Sequence, residues 1–538
     1  MAMTPAHDYD WVVVGSGFGG SVAALRLAEK GYSVCVLEQG RRFADSDFAG
    51  DASELGKVWW WPGLGLRGIM RMTVFKHVTV LSGVGVGGGS LVYANTLYVP
   101  RSDDFYRHPA WEGLADWRRE LAPHYERASA MLGVTEGDFD GPSEQLMRAL
   151  AGDLGVPEGY RSTPVGVYLG EPGERGRTVA DPYFGGEGPD RTACIRCGQC
   201  LLGCRHGAKN TLAKNYLWLA ERSGVRIFAE REVTDVRPRE GPDGRGASGY
   251  EISFRRPGPI PGRMRSMTAA GVVVGAGALG TNRLLRRCRD TGSLRHLSPK
   301  LGHLVRTNSE TITAATSELP DADYTADVAI TASVFPDDHT HFTNNTYGRG
   351  GDLMGINFGP LTAGRSRPRR AAAVAAALAA KPGRWLRPGR LGGWSRRTVL
   401  FTTMQSTDTA LTLRRRRGPL GRLGSLQTEV DAAAPPPENF IPLANEVAKR
   451  AAERIGGYAQ SSLMESLLGT PGTAHLLGGA VIGTGPDRGV VDSSQRAFGY
   501  ENLLVCDGSA VPANPGVNPS LTIAAMAERA ISLVPDCG

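Results

Sequence analysis

The sequence predicts an α/β fold in which a nucleotide-binding domain is interleaved with an α+β domain built on an antiparallel sheet. Three observations lead to this prediction. An apolar run at 11–14 passes through closely spaced glycines into a helical pattern, and the run at 271–274 repeats that arrangement in the middle of the chain. The segments 305–360 and 398–430 instead contain β-rich runs with the alternation of antiparallel strands.

The first element is a buried strand at 11–14 that runs into the sequence GSGFGG and then into a helix. In this arrangement Gly15 permits the tight turn, Gly17 lets the backbone approach a pyrophosphate, and Gly20 lets helix and strand pack closely. Glu38 ends the next apolar run about 20 residues further on, where a carboxylate can accept a hydrogen bond from a ribose hydroxyl. The segment therefore predicts a Rossmann-like dinucleotide site.

A second glycine-rich segment, residues 80–90, follows an apolar strand. This glycine density fits a backbone pressed against a flat ring system, and an ordinary flexible loop is the alternative. Asp507 and Gly508 follow the apolar run 503–505, where the backbone can approach a ribityl chain closely. A nucleotide site that begins at residue 11 and is completed beyond residue 500 indicates a bound flavin. The residues expected to bind this cofactor are Gly15, Gly17, Phe18, Gly20, Glu38, Gly85, Gly88, Gly89, Ser90, Asn95, Val233, Asp507, Gly508 and Asn518.

The segments between these motifs predict the remaining elements. Residues 111–155 have a mainly helical pattern, and the Gly- and Pro-rich residues 165–193 indicate a surface connection. The pattern then returns to αβ, and the elements predicted there are a helix at 213–221, strands at 225–229 and 232–236, the buried strand at 271–274 and a helix from about Thr281. They form the second half of the nucleotide-binding fold.

The β-rich segments after residue 305 predict the sheet of a substrate domain. Within this part of the chain, residues 365–397 contain many arginines and no acidic residue. A solvated surface insertion is the favoured interpretation of that segment, and a membrane-contacting lid is the alternative. A lid would matter if the substrate were a lipid.

Composition limits the classes of protein that fit this chain. The chain has 538 residues and 41% hydrophobic content, and it is longer than chains that usually fold around one hydrophobic core. The net charge is +7, but aromatic residues are not interleaved with the arginines, so we expect no nucleic-acid partner. No membrane-spanning stretch and no secretory leader are recognisable, so the expectation is a cytoplasmic protein with at most peripheral membrane contact.

Half of the eight cysteines lie in one short segment, residues 194–204. Their spacing is that of a bacterial iron–sulfur ligand run, although Arg205 stands where proline usually follows the last cysteine. A three-iron cluster and a locally completed four-iron cluster are both open, and zinc, a disulfide or reduced structural thiols are the alternatives. The candidate metal ligands are Cys194, Cys197, Cys200 and Cys204. Three further cysteines are expected to be small core residues, namely Cys35, Cys288 and Cys506.

Taken in order along the chain, several motifs resemble those of the glucose–methanol–choline (GMC) oxidoreductases. The closest likeness is to their cholesterol oxidase-like branch in actinobacteria. The motifs are the opening glycines 15–20, the block 85–90, the segment 203–212, the sequence HLLGG at 475–479 and the ending from Asp507 to Asn518-Pro519.

This resemblance implies FAD as cofactor, the GMC fold, and oxidation of an alcohol by hydride transfer to the flavin. It also implies an FAD-binding domain made of residues 8–105, 205–300 and 472–538. The substrate-binding domain would then comprise residues 106–204 and 301–471, including the Cys-rich segment 194–204 and the Arg-rich insertion 365–397.

The resemblance also assigns catalytic roles. Removal of a hydride from a carbinol carbon requires a group that takes the hydroxyl proton, and histidine suits this task. His475 matches the family's catalytic histidine, and Asn518 matches its second polar residue, whose amide can donate to the substrate oxygen. Steroid-oxidising relatives use an additional glutamate, for which Glu310 is a candidate.

The function expected from these observations is FAD-dependent oxidation of a secondary hydroxyl on a bulky apolar substrate, such as a sterol, a terpenoid or a polyketide. His475 would be the base, and the place of such an enzyme would be steroid or lipid metabolism. The electron acceptor would be O2 or an acceptor protein. The alternatives are a flavin and iron–sulfur protein of electron transfer or redox sensing, and a flavin-dependent desaturase.

Overall fold

The computed structural model describes residues 7–385, 389–417, 423–432 and 434–538. Part of the Arg-rich insertion (386–388) and part of the predicted β-rich segment (418–422) therefore lie outside the described residues. The helices in the described part are Phe18–Glu29, Leu55–Val58, Asp103–Tyr106, Trp117–Leu132, Pro142–Asp153, Tyr216–Arg222, Gly277–Thr291, Arg367–Ala380, Pro382–Trp385, Trp394–Arg397, Pro442–Arg454 and Ser520–Ser532. No helix among these residues combines the length and the apolar character needed to cross a membrane.

The first large sheet contains the predicted nucleotide-binding strands. Its order is Arg226–Phe228, Val34–Leu37, Tyr9–Val14, Arg265–Val274, Tyr250–Arg255 and Glu232–Pro238, with Leu503–Val505 also paired to Arg265–Val274. The long strand Arg265–Val274 pairs antiparallel with Tyr250–Arg255 through its first half and parallel with Tyr9–Val14 through its second half. The central parallel strands contain buried, continuous apolar runs such as VVV at 12–14, because both of their faces are covered there.

The second large sheet is antiparallel throughout. Its order is Phe358–Pro360, Gly457–Ser462, Thr311–Ser317, Thr398–Gln405, Thr340–Asn345, Ala332–Val334 and Tyr160–Ser162. The helix Pro442–Arg454 packs against its centre and also contacts the helix Pro142–Asp153. This is the antiparallel sheet that the sequence predicts for the substrate domain.

A small three-stranded sheet brings together two parts of the chain that are far apart in sequence. It consists of the hairpin Met70–Val74 and Thr79–Gly83, which is joined in parallel by Gly472–Thr473. The other short strands form two-stranded pairs, which are Trp60–Trp61 with Leu66–Arg67, Thr135–Glu136 with Pro164–Val165, Thr178–Val179 with Arg191–Thr192, and Leu411–Arg417 with Leu423–Val430. The small three-stranded sheet places the start of the 472–479 segment beside the glycine-rich block.

Two local expectations need correction. The predicted β-rich segment 398–430 does not join one sheet throughout, because Leu411–Arg417 and Leu423–Val430 form a separate two-stranded sheet, to which Val305 is bridged at Leu411. The Arg-rich insertion is not wholly solvated either. Arg370 of its helix is 2% exposed and donates hydrogen bonds to Thr362 and to the carbonyl of Asn439. Such bonds anchor the helix on the substrate domain.

All strands of the first large sheet lie within the three segments expected for the FAD-binding domain, and all strands of the second lie within the other two. The exact domain boundaries stay a prediction. Cys35, Cys288 and Cys506 are fully buried, as expected of core residues, and Cys537 is exposed.

Candidate active site

The two glycine-rich segments predicted to hold the cofactor lie against each other. Gly15 has φ of +96°, and a Cβ at that position would lie 2.5 Å from the carbonyl oxygen of Gly275. A Cβ on Gly88 would lie 2.7 Å from the Cα of Gly17, so the second segment packs directly on the first. Ser16 joins them, because its hydroxyl accepts a hydrogen bond from the N–H of Gly87. The two segments together form a cradle of closely packed backbone, which we call the glycine cradle.

Two buried carboxylates border this cradle. Glu38 accepts hydrogen bonds from the hydroxyl of Ser16 at 2.8 Å and from the N–H of Gly40 at 2.8 Å. Burial raises the pKa of Glu38, and these hydrogen bonds oppose that shift. Asp507 accepts hydrogen bonds from Ser509 and Thr281, and burial likewise raises the pKa of its carboxyl group.

An elongated cavity runs from the cradle to the second large sheet. The glycine segments, the 474–476 segment and the chain end from Asp507 form one part of its wall. The second sheet contributes residues from three of its strands or their ends, which are Ile312, Thr402 and Asn345. The cavity therefore lies between the two large sheets. The predicted site residues that line it are Gly17, Phe18, Gly89, Glu310, His475, Asp507, Gly508 and Asn518.

The two predicted catalytic side chains meet in the wall of this cavity. The amide nitrogen Nδ2 of Asn518 lies 3.3 Å from Nε2 of His475. An amide N–H can donate only to a ring nitrogen without a proton, so this contact favours the tautomer in which Nε2 is the acceptor. The His475 side chain retains 15% of its exposure, and Asn518 is 8% exposed. Both polar groups therefore face the cavity rather than bulk solvent.

Glu310 lies on the opposite side of the same imidazole ring. Its Oε1 is 2.9 Å from Nδ1 of His475, at ion-pair distance but outside hydrogen-bonding angle. Its Oε2 lies 2.7 Å from the hydroxyl of Thr473 and accepts a hydrogen bond from the N–H of Ala474. The carboxylate, whose side chain is 1% exposed, thus also holds the backbone that carries His475.

Hydrogen bonds from Asn308 fix the loop that leads into Asn518. The Nδ2 of Asn308 donates to the carbonyl of Val517 at 3.0 Å, and its Oδ1 accepts from the N–H of Gly516 at 3.0 Å. The backbone N–H of Asn308 donates to Oδ1 of Asn514 at 2.8 Å. Asn308 is fully buried with φ of +56°, a conformation in which asparagine is common among non-glycine residues.

The remaining predicted cofactor residues do not line the cavity. Several lie behind its wall and shape it, namely Gly15, Gly20, Glu38, Gly85, Gly88 and Ser90. Val233 lies on the outermost strand Glu232–Pro238 of the first sheet. Asn95 lies in the wall of a different, smaller cavity next to the cysteine run. The direct contacts predicted for these residues stay a prediction.

Comparison with known proteins agrees with this arrangement. Residues 13–50 match the model of an NAD(P)-binding Rossmann-like domain, and residues 189–298 and 427–527 match the two models of GMC oxidoreductases. A cholesterol oxidase of Mycobacterium tuberculosis is 45% identical over 99% of this chain and 92% of that protein. The chain belongs to the GMC oxidoreductase family.

Further relatives extend the likeness over the whole chain. A cholesterol oxidase of Acinetobacter baumannii is 40% identical over 98% of this chain and 95% of that protein. Among solved structures, pyridoxine 4-oxidase from Mesorbium loti has a TM-score of 0.61 at 16% identity, covering 98% of this chain and 99% of that one. That structural match shows the fold. The predicted GMC fold and the prediction of an FAD-dependent alcohol oxidoreductase are thereby confirmed.

The residues present fit the FAD that GMC oxidoreductases use. Gly17 and Gly89 line the cavity, and apart from chain neighbours a Cβ on either would meet no protein atom closer than 3.5 Å, so their bare backbone leaves space in which a pyrophosphate could lie close to it. The amide oxygen of Asn518 is buried in the cavity wall without a hydrogen-bond partner in the described part of the chain. A ligand with polar edges would satisfy such an atom.

Some residues of this GMC site had no sequence signal. Arg71 and Gln39 line the cavity, and the guanidinium of Arg71 donates to Oε1 of Gln39 at 2.9 Å. Burial lowers the pKa of Arg71 to about 10. Tyr347 also lines the cavity, and burial raises its pKa to about 12. These residues belong to no recognisable motif, so only the folded chain shows that they reach the site.

The four cysteines of the run are free thiols, of which Cys194 is buried and the others partly buried. The disulfide alternative is therefore not formed in this structure. Within the described ranges, no three His, Cys, Asp or Glu side chains are arranged to hold a single metal ion. A single-ion site, which the zinc alternative requires, is thus not formed either, and the iron–sulfur expectation stays a hypothesis.

Proposed function

We propose that this chain oxidises a secondary hydroxyl of a sterol, or of a similarly bulky apolar alcohol, with FAD as the hydride acceptor. The observation that carries the proposal is the meeting of His475 Nε2 and Asn518 Nδ2, 3.3 Å apart, between the glycine cradle and the second sheet. The relatives from M. tuberculosis and A. baumannii, both named cholesterol oxidases, support a sterol as the substrate class.

The wall of the cavity supports an apolar substrate. Beyond the cradle it is formed mainly by large apolar side chains, which are Met70, Val80, Leu81, Ile312, Ile330 and Leu476. Few polar side chains from the second sheet interrupt this wall, and Asn345 is one of them. A cavity lined in this way favours a ligand that buries a large apolar surface and presents a single hydroxyl group.

In the proposed reaction, the substrate hydroxyl displaces the Asn518 amide from Nε2 of His475, and Nε2 then takes the hydroxyl proton while the carbinol carbon loses its hydride. Bound FAD supplies the acceptor for that hydride. The second N–H of the Asn518 amide donates to the substrate oxygen and holds it next to His475. The imidazolium formed on His475 lies 2.9 Å from Oε1 of Glu310, whose negative charge stabilises it.

The C-terminal helix supports the same chemistry electrostatically. The helix Ser520–Ser532 begins directly after Pro519, and its first turn lines the cavity through Ser520 and Ile523. A helix N-terminus carries partial positive charge. Negative charge that develops at this end of the cavity during the reaction is therefore favoured.

Reoxidation is proposed to use O2, because the relatives with 40–45% identity are named oxidases. A terpenoid or polyketide alcohol would meet the same walls as a sterol, so these classes are alternative outcomes of the substrate test.

The test is anaerobic reduction of the FAD-loaded protein, followed through the flavin absorption band. Cholesterol, a terpenoid alcohol and a long-chain primary alcohol are mixed in turn with the native protein and with His475→Gln. We expect rapid reduction of the native protein by the sterol and a rate at least about 100-fold lower for the variant, since general-base catalysis typically contributes that much.

The matched control is His124→Gln, because His124 lies on the helix Trp117–Leu132 and is no part of the cavity wall. Its flavin should be reduced at the native rate. The proposal fails if no bulky apolar alcohol reduces the native flavin, or if His475→Gln is reduced as fast as the native protein.

A further inference from the structure

The four cysteines of residues 194–204 line one small cavity, which is separate from the large one. Each of them contributes to its wall. Apolar side chains close the cavity from the other sides, including Val167, Ala208 and Val328. The run therefore folds around a common, largely apolar space.

The four thiols do not converge on a single point. A single zinc ion needs its four sulfur ligands at about 2.3 Å from one point. The described residues contain no group of three such ligands around one point. In an iron–sulfur cluster each thiolate binds its own iron atom, so the ligands surround the cluster at larger separations. Four cysteines in the wall of one cavity can supply one thiolate to each iron of such a cluster.

A buried positive charge lies beside this cavity. Lys209 lines it, is 1% exposed, and donates hydrogen bonds from Nζ to the carbonyls of Leu91, Tyr93 and Cys200. In the described part of the chain no carboxylate lies within ion-pair distance of Lys209. An unpaired buried cation is costly. A cluster with four thiolate ligands carries net negative charge and would compensate it.

Asn95 supplies a second unpaired polar group. It is fully buried, lines the cysteine cavity, and neither of its side-chain polar atoms has a partner among the described residues. Buried amides of this kind are rare unless a ligand uses them. Hydrogen bonds from amide groups to cluster or thiolate sulfur are a usual feature of iron–sulfur sites, and they tune the reduction potential.

The small cavity lined by the four cysteines (the cysteine cavity) and the larger cavity that contains His475 and Asn518 in its wall (the flavin cavity) share a wall. Ala94 and Thr96 line the flavin cavity, whereas Asn95 between them lines the cysteine cavity. In the same way Leu201 lines the flavin cavity and its neighbour Cys200 lines the other. One layer of residues therefore separates the two cavities. An electron that passes from one to the other has only this short distance to cross.

We propose that Cys194, Cys197, Cys200 and Cys204 bind a four-iron, four-sulfide cluster that passes electrons from the flavin site to an external one-electron acceptor. Oxidation of one alcohol to a carbonyl releases two electrons and two protons. The cluster takes the electrons singly, two molecules of the external acceptor are reduced in turn, and the protons pass to solvent. This exit is an alternative to direct transfer to O2.

The decisive measurement is iron and acid-labile sulfide in the full-length protein purified without oxygen, before and after anaerobic reconstitution with ferrous iron and sulfide. We expect about four of each per chain, and an electron paramagnetic resonance signal that develops on reduction with dithionite. Absence of iron after reconstitution, one zinc ion per chain, or a disulfide within the run would overturn the proposal.

Variants test the ligand set. Cys200→Ser and Cys204→Ser should lose iron, whereas Cys537→Ser, which alters an exposed thiol far from the cavity, should keep it. Retention of the full cluster by Cys204→Ser would overturn the four-ligand assignment.

Flavin reduction by alcohol and electron transfer to ferricyanide should separate in these variants. We expect the first to stay near the native rate and the second to fall at least about 10-fold. Loss of the cluster without any change in ferricyanide reduction would overturn the electron-exit role. The iron and sulfide content can be measured without any alcohol, so the test of the cluster does not depend on the proposed substrate.

Discussion

Glu310 and His475 form a close pair, with Oε1 of the carboxylate 2.9 Å from Nδ1 of the imidazole. Asn518 reaches the other ring nitrogen, Nε2, at 3.3 Å. The ring is thus placed between a group that can stabilise its positive form and a group that can hold the substrate oxygen. The order carboxylate, imidazole, amide leaves Nε2 as the ring nitrogen that accepts a hydrogen bond in the free protein and, once the substrate hydroxyl displaces the amide, a proton.

Replacement of Glu310 by Gln removes the negative charge from this pair and keeps its size. The turnover number should fall by about 10- to 100-fold, because the imidazolium formed during the reaction loses its counter-charge. Stopped-flow flavin reduction at one fixed pH measures the effect. The exposed Glu453→Gln is the matched control, and equal rates for Glu310→Gln and the native protein would contradict the proposed pairing.

Replacement of Asn518 by Leu removes the amide and keeps an apolar side chain of similar size. We expect flavin reduction about 100-fold slower or worse, since one preorganised donor to a reacting oxygen commonly contributes that much. The comparison is with Asn357→Leu, which removes an amide that bonds only to the nearby carbonyl of Met354. A rate for Asn518→Leu within about threefold of the native rate would show that the amide does not hold the reacting oxygen.

Asn308 should act on the reaction only through the loop that carries Asn518. In Asn308→Gly the backbone can keep its positive φ, while the hydrogen bonds to Val517 and Gly516 are lost. We expect a loss of about 1–3 kcal/mol in the free energy of unfolding and a lower turnover number at nearly unchanged KM. Thermal unfolding and steady-state kinetics provide the two readings. An unchanged turnover number in a destabilised protein would limit Asn308 to a structural role.

Glu465 predicts a pH dependence of stability. It is 2% exposed, accepts a hydrogen bond from the hydroxyl of Thr311 at 2.7 Å, and has a pKa raised to about 7, chiefly by burial. Between its ordinary value of 4.5 and about 7 the folded protein keeps a proton that the unfolded chain loses. Stability therefore falls as pH rises through this window, by on the order of 3 kcal/mol for this group.

Glu465→Gln should remove that contribution, because the amide does not titrate. Unfolding midpoints measured from pH 4 to pH 8 should therefore decline less for the variant than for the native protein. The surface substitution Glu453→Gln should follow the native curve. Parallel curves for Glu465→Gln and the native protein would show that the carboxyl group titrates normally in the fold.

Much of the nucleotide-binding half was predictable from local sequence. The turn at Gly15 requires glycine because its φ is +96°, and the last four residues of the strand before it, 11–14, are buried and apolar. Such requirements act on neighbouring residues and leave a readable pattern. His475 was predictable for another reason, since it lies in a motif that the GMC family shares.

The position of Asn95 shows what local pattern does not record. The residue lies next to a glycine-rich block and was expected at the flavin, but alternate residues of the chain 94–96 face two different cavities. Which cavity a side chain enters depends on the direction of the backbone between two packed units. Neither composition nor spacing records that direction.

The sequence by itself determined the α/β class, the glycine cradle, the run of four cysteines and the pair of His475 and Asn518 as candidates. Only the tertiary structure decided that Glu310 lies behind the imidazole, that Asn308 holds the loop before Asn518, and that the cysteine run shares a wall with the flavin cavity. The physical reason is that turns and buried strands depend on local backbone and side-chain requirements. Contacts between segments far apart in the chain arise only when the two large sheets pack around a common cavity.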